Sequence, residues 1–119
     1  MDEPIQVLAG TGGVALGEAR TNHDGRKAVL LHRDGNPSEL IALADTMGIE
    51  ILDVQYQKGS EDPRSYFGKG RLQDVADEIS SAVEGHPWHG VDLVIIHSNA
   101  SPRQLVTVHE SVQVEVWDR

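Results

Sequence analysis

Two short strand-like runs with apolar interiors, Ala28-Val29-Leu30-Leu31-His32 and Asp92-Leu93-Val94-Ile95-Ile96-His97, are each followed within a few residues by a helix-opening signal. A strand that is apolar at every position needs cover on both faces, which only a parallel sheet flanked by helices provides. After the first run, Asn36-Pro37-Ser38-Glu39 offers a cap, a proline for the first helical position and a capping box. After the second, Ser101-Pro102-Arg103-Gln104 repeats that pattern. Leu40, Leu43, Ala44 and Met47 recur at helical spacing behind the first signal, and Leu105, Val108 and Val112 behind the second. Between them lie a strand from Ile49 to Tyr56 and a helix from about Arg71 to Val83, its stripe made by Leu72, Val75, Ala76, Ile79, Ala82 and Val83. Val114 to Trp117 closes the chain as a strand. The expected fold is therefore α/β: a three-layer βαβαβαβ domain with helices on both faces of a four-stranded parallel sheet. Right-handed crossovers and two mixed-polarity edge strands give the order 2-1-3-4. The order reverses between strands one and three, where such folds bind ligands.

This domain is expected over residues 28–119, with residues 1–27 a flexible or loosely docked extension. The glycine-rich Thr11 to Gly17 segment lacks the lysine-serine/threonine ending of a phosphate loop. With no cysteine among 119 residues, thiolate catalysis, disulfides and zinc–cysteine sites are excluded. No apolar run approaches the roughly 20 residues that cross a bilayer, and the acidic start is unlike a signal peptide, so a cytoplasmic location without membrane contact is expected. The formal charge is −9, from 10 basic and 19 acidic residues. Such an acidic total argues against DNA as a partner, but the distribution of charge matters more than its sum.

Lys58, Arg64, Lys69 and Arg71 cluster around one stretch, Ser65-Tyr66-Phe67-Gly68-Lys69-Gly70-Arg71-Leu72. Two glycines flanking a lysine at a helix entrance leave amide N–H groups free, and the helix dipole adds positive potential. Gly68, Lys69, Gly70 and Arg71 are thus the candidate phosphate or nucleotide site. An ordinary tight loop reads equally well from these residues alone. Phe67 is expected in the core, whereas Tyr66 is a candidate for stacking on a base. His32 and His97 each end a central strand, so the topology brings them together at the crevice, with Asp34 and Asn99 just beyond. A metal or acid–base site is conceivable there, but hydrogen bonding to loop backbone is the simpler role for the two histidines, and no metal site is assigned. His86-Pro87-Trp88-His89 reads as a connector and His109 as boundary packing. No nucleophile–base–acid set can be assembled, so no catalytic residue is expected.

The order and spacing of these pieces resemble the amino-terminal domain of HflX-type ribosome-associated GTPases. Tyr66 to Leu72 is similar to that family's glycine-rich stretch, Asp92 to Ile96 to its apolar strand, Ala100 to Leu105 to its Ser-Pro-x-Gln segment and Val116 to Arg119 to its closing V-x-D-R. His97-Ser98-Asn99 departs from it, since family members carry acidic residues before the Ser-Pro. The resemblance implies a nucleotide-linked domain that associates with the large ribosomal subunit. Its contacts to ribosomal RNA would come from Lys58, Arg64, Tyr66, Lys69 and Arg71. It also implies weak ATP or GTP binding at Gly68 to Arg71. The carboxy-terminal P-loop domain that follows in the family is missing from these 119 residues. GTP hydrolysis and its Mg²⁺ would therefore belong to the parent protein and not to this chain. The rival expectation is a stand-alone sensor of a small ligand or nucleotide, using the crevice between strands one and three.

Overall fold

The computed structural model describes residues 24–119. Its elements run β1 (Lys27–His32), α1 (Ser38–Thr46), β2 (Glu50–Tyr56), α2 (Lys69–Ser81), β3 (Leu93–Ile96), α3 (Pro102–Val112) and β4 (Glu115–Asp118). All three strand pairings are parallel, and the sheet order is β2-β1-β3-β4, as the sequence implies. The extension expected at the amino terminus lies outside the described residues except for its last four, of which Lys27 already belongs to β1.

Alternation along the two central strands divides the interior into two cores. Val29, Leu31, Val94 and Ile96 pack with Leu72, Val75, Leu105, Val108 and Val112 of α2 and α3. Ala28, Leu30, Leu93 and Ile95 pack with Leu40, Ala44 and Met47 on the α1 side. One helix thus covers one face and two helices cover the other.

The two proline-containing helix starts behave differently. Ser101 caps α3 with both halves of the capping box: its Oγ accepts from Gln104 N at 3.1 Å, and its own N donates to Gln104 Oε1 at 2.9 Å. At α1 the expected box is absent, because Pro37 itself occupies the N-cap and has no N–H for Glu39 to receive. Asn36 acts one residue earlier, accepting from Ser38 N at 2.9 Å and Ser38 Oγ at 2.6 Å. Two stripe assignments also change. Leu43 is 43% exposed on the flank of the lone helix. Val83 is 70% exposed because α2 ends at Ser81 and Ala82 turns to an extended ψ of 92°. At the α1 exit, Gly48 has φ +81°, and a Cβ there would lie 2.8 Å from Asp24 Cα, so only glycine fits.

One irregularity reorients the end of β2. Ala28 pairs with Ile51 but Val29 pairs with Asp53, leaving Leu52 as an extra residue. Ile51 and Val54 consequently both pack toward α1, although an odd separation should place them on opposite faces. Tyr56 follows Val54 to the α1 side and pairs with His32.

Candidate functional site

Both candidate sites lie at the carboxyl edge of the sheet. The β2–α2 connection, residues 57–68, is held by a residue the sequence reading did not single out. Arg33, the first residue beyond β1, is only 8% exposed. Its guanidinium donates to Gln57 Oε1 at 2.8 Å, Tyr66 O at 3.0 Å, Lys58 O at 3.2 Å and Gly59 O at 3.3 Å, and lies 5.9 Å from the Phe67 ring centre. The five-donor fork of arginine matches this set of oxygens, which a lysine could not. A charged residue set directly after a strand whose last five residues are buried was the available signal. Gln104, on α3, braces the other side by donating to Glu61 Oε1 and to Asp62 O, each at 2.8 Å.

Within this brace Asp62 Oδ1 accepts from the Arg64 and Ser65 amides at 2.7 and 3.2 Å. Those two backbone hydrogen bonds, Arg64's first, hold its carboxyl below the usual aspartate range. Tyr66 sits at φ +64°, a left-handed conformation uncommon for a bulky residue. It is 1% exposed, and its hydroxyl reaches His97 O at 3.4 Å. Burial pushes the Tyr66 hydroxyl up to about 12. Its ring stacks on Phe67 inside the core, so Tyr66 has no free face for a base; Phe67 is in the core as expected.

The Gly68-Lys69-Gly70 entrance also differs in detail. Helix α2 begins at Lys69, two residues before the expected start, so Lys69 and Gly70 form its first turn and Gly68 its N-cap. The Gly68 amide is already taken by Gln57 Oε1 at 2.7 Å, and a Cβ on Gly68 would lie 3.1 Å from Gln57 Nε2. Lys69 and Gly70 are exposed, and the first-turn amides beyond Gly68 lack intrahelical acceptors, as at any helix start. Arg71 is half-buried, its guanidinium 5.6 Å from the Phe67 ring centre and 3.1 Å from Gln55 Oε1. Lys58, Arg64 and Lys69 are therefore the exposed cations of the cluster.

The crevice residues assemble as a row across the sheet, on the face covered by α1. Tyr56 and His32 have ring centres 5.1 Å apart, and His32 and His97 are 5.4 Å apart. Arg119 Nη1 then lies 3.3 Å from His97 Nε2. His32 and His97 are 9% and 6% exposed, and the Nδ1 atom of each is buried without a hydrogen-bond partner. Burial, with a smaller contribution from His97, lowers the His32 pKa against the opposing pull of Asp34. Asp34, Gly35, Tyr56, Gly59 and Ser60 line an open crevice of about 890 Å³ beside His32. Asn99 is exposed in the β3–α3 loop and is not among the residues that line it.

The other histidines among the described residues stand apart from this row. His86 pairs with Glu78 and accepts from Trp88 N within the expected connector. His109 is exposed instead of packed, with Nδ1 2.8 Å from Val114 O at the end of α3. Among the described residues no helix is long and apolar enough to cross a membrane.

A doubly wound parallel sheet with a braced β2–α2 loop and a polar row at its carboxyl edge defines an α/β domain whose strand order reverses between β1 and β3. The protein-family model for the GTP-binding GTPase N-terminal family matches residues 35–119, and this chain belongs to that family. A comparison with curated proteins finds no match. Among solved structures, the chain is similar to SsGBP in complex with GDP at a TM-score of 0.60 and 17% identity, covering 78% of this chain and 26% of that one. A GTP-binding protein from the hyperthermophilic archaeon Sulfolobus solfataricus, also with GDP, gives 0.59 and 17%, covering 78% and 27%. At such identity the likeness concerns the fold, and the chain spans about a quarter of each relative's length.

Proposed function

We propose that this domain is the amino-terminal docking part of an HflX-like GTPase, positioning the longer protein on ribosomal RNA of the large subunit while a P-loop domain elsewhere hydrolyses GTP. Family membership supports the link to a GTPase. The observation that carries the docking reading is the surface of the β2–α2 loop. Lys58, Arg64 and Lys69 project from a backbone held by Arg33 and Gln104, so three cations are presented with little conformational freedom to lose. Backbone phosphates would take those cations and the first-turn amides of α2, while the acidic remainder of the surface limits binding to other orientations. Arg71, tied to Phe67 and Gln55, contributes more to the loop than to the contact. Weak ATP or GTP binding at the same entrance is compatible with two open positions, Lys69 and Gly70, beside one occupied amide.

Co-sedimentation with purified large ribosomal subunits tests this reading. The wild-type protein is expected in the pellet at low salt and progressively less of it as salt rises. Arg64→Glu and Lys69→Glu should each reduce the pelleted fraction by about tenfold, and Glu84→Lys, a charge change of the same size and opposite sign past the far end of α2, should not reduce it. Wild-type protein that stays in the supernatant at every salt concentration would remove the proposal.

A further inference from the structure

We propose that His32 and His97 bind a divalent transition-metal ion, such as Zn²⁺, through their two Nδ1 atoms. A buried polar nitrogen without a partner is costly, and here two occur side by side on adjacent central strands. Neutral imidazole is the commonest metal ligand. The spacing fits. With both Nδ1 atoms turned to one ion about 2.0–2.1 Å away, the ion would lie roughly 3.2 Å from each ring centre, and centres 5.4 Å apart would subtend about 115°, close to tetrahedral.

Among the described residues no three His, Cys, Asp or Glu side chains converge on one point. The protein thus supplies two nitrogens, and the remaining positions go to water or to Asp34, an exposed carboxylate whose charge already acts on His32. Arg119 opposes binding. Metal at His97 Nδ1 requires the tautomer with hydrogen on Nε2, which can no longer accept from Arg119. Occupancy therefore releases the Arg119 guanidinium, and the ion and the arginine compete through one ring.

Calorimetric titration of the full chain with Zn²⁺ tests the site, alongside ¹⁵N spectra of the histidine rings. One ion is expected per chain. His32→Ala and His97→Ala should each weaken binding by at least the roughly tenfold typical of outer-shell changes, and Arg119→Ala should strengthen it. His86→Ala and His89→Ala should leave it unchanged. In wild-type spectra, which do not depend on any variant folding, Zn²⁺ should shift the Nδ1 resonances of His32 and His97 and fix hydrogen on Nε2. No binding, binding lost with His86 or His89, or unshifted Nδ1 resonances for either crevice histidine would each overturn the proposal.

Discussion

At the scale of single residues, two buried polar side chains shape the carboxyl edge: Arg33 and Tyr66. Arg33 holds a loop by its carbonyls, so Arg33→Ala removes charge-assisted hydrogen bonds and leaves their acceptors with less complete replacement. The expected cost is about 3 kcal/mol, measured by urea unfolding, with amide exchange in residues 57–67 accelerating more than in the strands. Arg33→Lys should recover little, because an ammonium cannot span the same oxygens. Tyr66 sets the alkaline limit. Its hydroxyl ionises at about 12 in the folded protein, against an ordinary value near 10 when unfolded. The unfolded state therefore loses its proton first, and stability falls as pH rises above about 10 toward 12. Absorbance at the tyrosinate band should show a late step near pH 12 that Tyr66→Phe removes. A tyrosinate change that is complete below pH 10 would contradict the burial of Tyr66.

At the scale of elements, helix starts show what local sequence can specify. Ser101-Pro102-Arg103-Gln104 makes the capping box its spelling implies, because proline falls at the first helical position and the cap keeps its N–H. Asn36-Pro37-Ser38-Glu39 has similar spelling, but the helix begins one residue later, so proline becomes the cap and the box cannot close. Ser101→Ala should then cost about 1 kcal/mol, whereas Glu39→Ala should cost a few tenths at most. Thermal unfolding of the two variants in parallel distinguishes them. The loop before α2 was less legible. Its basic residues and glycines are plain in the sequence, yet Gln57 filling the Gly68 amide is a contact between residues 11 apart that no local pattern announces. The same limit applies to Tyr66, whose place before a helix suits either a surface ring or a core plug until the neighbouring strands are in position.

For the whole molecule, the sheet separates two cores that respond to different substitutions. Ile95 faces α1 and Ile96 faces α2 and α3. Each truncation to alanine should cost about 2–5 kcal/mol, but exchange measurements should place the added motion in α1 for Ile95→Ala and in α2 and α3 for Ile96→Ala. Identical exchange changes from both would mean that the two layers open as one unit. The strand order, the central position of β1 and β3 and the layering were all determined by sequence, since continuous apolar runs and capped helical stripes have few ways to hide their surface. The row from Tyr56 to Arg119 was not. The sequence placed His32 beside His97 by topology, but the extra residue in β2 turns Tyr56 onto their face, and only the finished packing leaves two ring nitrogens unpaired. Apolar patterning acts along the chain and survives small shifts in register, so it can be read residue by residue. The facing and hydrogen bonding of side chains from four separate strands change with a single inserted residue, so they are decided only when the strands have met.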